Sequence, residues 1–85
     1  MKPVTIYTKA MCPYCSRALR LLSEKNAEIT EIKAGYDKDK KAEMIARSNG
    51  GRTFPQIFVG EEHIGGCDDL MALERDGKLD AMLAA

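Results

Sequence analysis

Val4-Thr5-Ile6-Tyr7-Thr8-Lys9-Ala10-Met11-Cys12-Pro13-Tyr14-Cys15 runs an alternating, β-branched segment straight into two cysteines three positions apart. Val4–Thr8 reads as a strand, Lys9–Met11 as a short loop, and Pro13 suits the first position of a helix, where its missing N–H was an orphan anyway. On one helical turn both thiols share a face. A rise of roughly 1.5 Å per residue puts their Cα atoms about 5 Å apart, within disulfide range. A bond between them can therefore open and close with little backbone movement. Cys12 falls at the helix start, where free N–H groups and the dipole favour a thiolate. Cys15, one turn in, lacks that help and is expected to be the more buried partner. The predicted chemistry is asymmetric: Cys12 attacks and Cys15 resolves.

Working outward, the helical pattern continues to about Lys25, with Cys15, Ala18, Leu19 and Leu22 in one stripe and Asn26 as its stop. Glu28–Lys33 reads as a second strand, so the strand-helix-strand succession implies a parallel pair with a right-handed crossover. Ala34-Gly35-Tyr36-Asp37 is a turn. Asp37 caps a predicted helix from Lys38 to Ser48 with Ala42, Ile45 and Ala46 inward, ended by Asn49-Gly50-Gly51. Arg52-Thr53-Phe54-Pro55 is extended, because the residue before a proline is pushed toward β. Gln56–Val59 is a strand, Gly60-Glu61-Glu62 a turn, and His63-Ile64-Gly65 the antiparallel return. Gly65-Gly66 turns the chain into a third helix, about Cys67 to Asp76, with Asp68 and Asp69 in its first turn and Leu70 and Leu73 inward. Gly77 breaks it, and Leu79, Met82 and Leu83 suggest a short amphipathic end. The pattern predicts an α/β fold, βαβ-α-ββ-α, with a mixed four-stranded sheet and helices on both faces. The whole chain, 1–85, is expected to form one domain.

The 85 residues carry 13 basic and 13 acidic side chains, which argues against a nucleic-acid surface or a polybasic membrane anchor. No apolar run approaches the roughly 18 residues of a membrane span. The N-terminal residues have no signal-peptide h-region. Three cysteines are an odd count, unlike a secreted disulfide framework. A reducing compartment, the cytoplasm, is the expected location, with any disulfide transient and catalytic.

A C-x-x-C beside a strand-helix-strand unit is a redox signal. Counting leaves open a zinc site in which His63 and Cys67 complete Cys12 and Cys15. Pro13-Tyr14 starts a helix rather than a metal knuckle, and no metal is expected. Thr53-Phe54-Pro55 reads either as a plain start to a strand or as a loop presenting the backbone of Phe54 to an extended peptide. Gly65-Gly66-Cys67-Asp68-Asp69 reads as a helix start that also suits a zwitterion: free N–H groups for a carboxylate, adjacent acids for an α-amino group. Cys67 by itself reads as a small buried hydrophobe. Tyr14 is expected as a wall beside the sulfurs, and Lys9 as a partner for a ligand carboxylate. Lys38, Lys40 and Lys41 read first as a solvated face.

Together these blocks resemble the glutaredoxin family, specifically its small bacterial dithiol class. The resemblance runs from Val4 to about Leu83. It rests on Tyr7-Thr8-Lys9 before Cys12-Pro13-Tyr14-Cys15, then Thr53-Phe54-Pro55-Gln56-Ile57-Phe58, then Gly65-Gly66-Cys67-Asp68-Asp69-Leu70. It implies a thioredoxin-like fold, a cis Pro55, and glutathione as cosubstrate with no tightly bound cofactor. Cys12 would be the nucleophile and Cys15 the resolving thiol. Glutathione would lie against Tyr14, Thr53, Phe54 and Pro55, with its γ-glutamyl end on Gly66, Cys67 and Asp68. Its glycyl carboxylate would meet Lys9, with Lys41 as the helix-two candidate. Phe54 stands where the family commonly has Val. The implied function is glutathione-dependent reduction of protein disulfides and glutathionylated proteins by a monomer, with no nucleic-acid or membrane partner. Two rival readings remain: a thioredoxin-like reductase served by a flavoprotein, and a protein that holds zinc or bridges an iron–sulfur cluster between two chains.

Overall fold

A computed structural model describes all residues, 1–85. The element order is β1 (Val4–Thr8), α1 (Pro13–Glu24), β2 (Ile29–Lys33), α2 (Lys38–Arg47), β3 (Gln56–Val59), β4 (Glu62–Gly65), α3 (Cys67–Arg75) and α4 (Leu79–Ala84). The sheet order is β2-β1-β3-β4, with β1 parallel to β2 and the other pairs antiparallel. The mixed four-stranded sheet predicted from the sequence is therefore present, and the apolar tail forms a fourth helix.

Alternation along β1 divides the core into two layers. Val4 and Ile6 join Ile57 and Val59 on one face, under Ala18 and Leu22 of α1, Cys67 and Leu70 of α3, and Leu79 and Leu83 of α4. Tyr7 and Phe58 point to the other face, where Met44 of α2 and Ala34 cover them. Each such aliphatic or aromatic side chain, fully withdrawn from water, contributes about 1.5–3 kcal/mol before ordering costs. No helix is long and apolar enough to cross a membrane.

The predicted helix stops share one mechanism. Asn26 and Asn49 adopt left-handed φ values of 58° and 57°. After α1, Ala27 N–H bonds Leu22 O and Asn26 N–H bonds Ser23 O; after α2, Gly50 N–H bonds Ile45 O. These bonds satisfy the last carbonyls of each helix and redirect the chain into β2 and toward the loop before β3.

The inward face of α2 differs from expectation. Ala42 and Ala46 are exposed, Met44 is fully buried, and Ile45 is half-buried. Methionine withdraws far more apolar surface than alanine, so it sets the rotation of this short, highly charged helix. The same rotation aims Glu43 and Arg47 at Tyr7. The buried Tyr7 hydroxyl donates to the Glu43 carboxylate and accepts from Arg47 Nη1 at 2.8 Å. The Arg47 guanidinium lies 4.4 Å from the Phe58 ring centroid, a cation–π contact. Burial, then the Glu43 hydrogen bond, raises the Tyr7 pKa above the usual phenol value.

Candidate active site

β1 ends at Thr8, and three loop residues carry the chain to Cys12, the N-cap of α1. Met11 just before it takes a left-handed φ of 54°. Cys12 Sγ accepts the Cys15 N–H at 3.3 Å, so the thiol acts as the helix cap that Ser or Asp supplies elsewhere. That hydrogen bond strengthens when the sulfur is anionic. Cys12 is 8% exposed and Cys15 3%, the expected order. Burial first, and then the hydrogen bond to Cys12, pushes the Cys15 thiol up to about 12.

Opposite Cys12 lies the segment before β3. The Phe54–Pro55 peptide bond is cis, as the resemblance implied. The Cys12 thiol donates to Phe54 O at 3.9 Å. β3 begins at Gln56, so the Phe54 N–H and C=O lie outside the ladder. Buried Gln56 anchors the segment from below: its Nε2 donates to Thr53 O at 3.0 Å and to Thr53 Oγ1 at 3.2 Å. A carbonyl only accepts, so the Gln56 amide nitrogen faces Thr53 and its Oε1 faces His63 Nε2, 2.7 Å away. His63 therefore donates to Gln56 and stacks on Phe58 with centroids 4.9 Å apart. No group of three or more His, Cys, Asp or Glu side chains is placed to hold a metal ion, and the zinc alternative finds no assembled ligand set.

The third piece is the start of α3. Gly66 is the N-cap, and its N–H donates to the Asp69 carboxylate at 2.9 Å. Gly65 has φ +119°, and a Cβ there would run into that carboxylate. Asp68 and Asp69 are both exposed and both line the groove beside this helix start; Asp69 in addition caps its own helix through Gly66. Cys67 is buried in the core layer under α1, and burial raises its pKa above the usual thiol value. Its backbone N–H remains one of the orphan donors of the first turn.

These parts border two adjoining grooves. One, of about 380 Å³, is lined by Tyr14, Thr53, Phe54 and Pro55 and by Gly66, Cys67 and Asp68. The other, of about 580 Å³, shares Tyr14, Thr53 and Phe54 and adds Lys9, Lys41, Arg52, Gly35 and Tyr36. Lys9 Nζ sits 5.7 Å from the Phe54 ring centroid. Gly35 lets the turn before α2 approach this wall, since a Cβ there would meet Lys9 Cβ at 2.5 Å. Lys9, Tyr14, Lys41, Thr53, Phe54, Pro55, Gly66, Cys67 and Asp68 all line one or both of these grooves, and the contact of Cys12 Sγ with Phe54 O ties the thiol to the strip the grooves share. Sequence reasoning gave Arg52, Tyr36 and Gln56 no role of their own, and weighed His63 only as a zinc ligand. The one polar residue in the otherwise apolar run Gln56–Val59 was a readable signal for Gln56.

A glutaredoxin family model matches residues 4–64. A glutaredoxin of Pseudomonas aeruginosa is 55% identical over 85 residues, covering all of both chains. Glutaredoxin 3 of Escherichia coli is 52% identical over 83 residues, 98% of this chain and 99% of that one. Among solved structures, a buckwheat glutaredoxin–glutathione complex superposes with a TM-score of 0.86 at 39% identity, covering 98% of this chain and 77% of that chain.

Proposed function

The chain belongs to the glutaredoxin family, and from that membership we propose a glutathione-dependent reductase of protein disulfides and glutathione mixed disulfides. The observation that carries the proposal is the setting of Cys12. Its sulfur caps α1 and contacts the carbonyl of Phe54 at 3.9 Å, and Phe54 borders both an acidic groove at the start of α3 and a cationic groove on the Lys9 side. Glutathione has matching ends. Its γ-glutamyl carboxylate suits the Cys67 and Asp68 N–H groups, and its α-amino group suits the Asp68 side chain. Its cysteinyl backbone pairs with Phe54, and its glycyl carboxylate suits Lys9 and Lys41.

In the dithiol mode the Cys12 thiolate attacks a substrate disulfide. A Cys12–substrate disulfide forms, and the departing substrate sulfur takes a proton. Cys15 must then lose its proton and attack the Cys12 sulfur, which releases the second substrate thiol. Burial holds that proton on Cys15 beforehand. Two glutathiones then leave as their disulfide and return both cysteines to thiols. In the monothiol mode Cys12 attacks the glutathione sulfur of a glutathionylated protein, and a second glutathione regenerates Cys12. A reducing, cytoplasmic setting belongs to the proposal, because a Cys12–Cys15 disulfide must be transient.

The discriminating experiment supplies either glutathione with its reductase or a thioredoxin-type flavoprotein as the only electron source. Turnover with glutathione alone supports the proposal; turnover with the flavoprotein alone overturns it.

A further inference from the structure

The groove on the Lys9 side is more cationic than a single glycyl carboxylate requires. Lys9, Lys41 and Arg52 line it without one acidic residue, and the ion pairs of the fold are confined to Lys25. Three aromatics share its walls with Thr53 and Gly35: Phe54, Tyr14, and Tyr36, which is 93% exposed. Its volume, about 580 Å³, is in the range that holds a drug-sized ligand rather than one carboxylate. An exposed aromatic beside unpaired cations is a surface with no role inside the fold.

We propose that this groove selects the protein substrates: disulfides whose attacked cysteine is followed in sequence by acidic residues. This rests on the glutathione reading, which fixes direction. When glutathione is bound, its cysteine lies against Phe54 and the residue after that cysteine enters the cationic groove. A polypeptide taking the same backbone pairing sends its following residues there, and its preceding residues toward Asp68. Acids after the cysteine meet three cations and pack their stems on Tyr36 and Phe54. Acids before the cysteine meet Asp68 and Asp69, whose charges oppose the pull of the free N–H groups at the start of α3. The preference is therefore directional, which a general attraction between opposite charges is not.

The test uses symmetric disulfide dimers of three short peptides that place two Asp after the cysteine, two Lys after it, or two Asp before it. Symmetry makes both sulfurs equivalent. Each rate is divided by the rate with dithiothreitol, which removes intrinsic differences in disulfide reactivity. An exposed ion pair changes affinity by a factor of roughly 1.4 to 5. Two acids after the cysteine should then raise kcat/KM about tenfold over two lysines at low salt, and high salt should shrink the ratio. The peptide with acids before the cysteine should show no such gain. Arg52→Gln should lower the acidic-to-basic ratio by roughly two- to fivefold, and Lys41→Gln similarly. Equal normalised kcat/KM for all three peptides, equal gains from acids on either side, or a ratio untouched by both variants would overturn the proposal. A glutathione mixed disulfide of cysteine is run beside them. If the wild type fails on that substrate, the glutathione reading itself is lost; if it turns over while the peptides show no preference, only the groove assignment is.

Discussion

Removing one oxygen atom measures how α2 is held to the sheet. Tyr7→Phe keeps the ring, its edge-on contact with Phe58 at 5.8 Å, and the packing volume, so it creates no cavity. It deletes two hydrogen bonds to ionised partners, Glu43 and Arg47, from a hydroxyl on a fully buried residue. A hydrogen bond to a charged group contributes about 1.5–3 kcal/mol. Glu43 and Arg47 are both exposed and can turn to water, so the loss for the pair should be smaller, about 1–2 kcal/mol in total. For a chain of this size that corresponds to a melting-point fall of roughly 5–15 °C. The assay is urea and thermal unfolding of the reduced protein, repeated in a Glu43→Ala, Arg47→Ala background. There the Tyr7→Phe effect should shrink to a few tenths of a kcal/mol, since its partners are gone. An undiminished loss in that background, or no loss in the single variant, would refute the idea that this network pins α2.

Three further outcomes are expected. Cys15 is pushed from an ordinary value of 9.0 up to about 12, and Tyr7 and Cys67 are raised as well. Above pH 9 the unfolded chain therefore loses protons that the folded chain keeps. Stability is full below pH 9 and should fall as pH rises toward 12, with a slope on the order of 1 kcal/mol per pH unit for each proton; Cys15→Ser should flatten it in alkaline urea titrations. Asp69→Ala removes the cap on Gly66 and should cost about 1 kcal/mol in urea unfolding, whereas Asp68→Ala should leave stability within about 0.5 kcal/mol and raise the KM for a glutathionylated substrate. Gly65→Ala places a methyl group against the Asp69 carboxylate at a left-handed φ and should cost about 1–3 kcal/mol, read as a lower urea midpoint.

The local signals in the sequence carried most of the fold. Pro13 after Cys12, Asp37 before α2, and Asn26, Asn49 and Gly77 after their helices each act within a few residues, and each marks a boundary in the structure. The rotation of α2 was not legible, because Ala42 and Ala46 look inward on spacing alone while Met44 takes the core by its size. The Tyr7–Glu43 contact joins residues 36 apart in sequence, and nothing local announces it. The site divides the same way. Cys12, Cys15 and the α3 start are contiguous blocks. Gln56, His63 and Arg52 depend on the β3–β4 register and on the path of the segment between α2 and β3. The resemblance singled out Asp68, but that Asp69 bends back to cap Gly66 shows only in the backbone.

The central claim is a division of labour between two thiols one helical turn apart. It is tested most directly by glutathione-dependent reduction of a small glutathione mixed disulfide, with wild type, Cys15→Ser and Cys12→Ser side by side. Wild type and Cys15→Ser should both turn over at rates that follow glutathione, and Cys12→Ser should be inactive. Retained activity in Cys12→Ser, or loss of activity in Cys15→Ser equal to that in Cys12→Ser, would contradict the assignment.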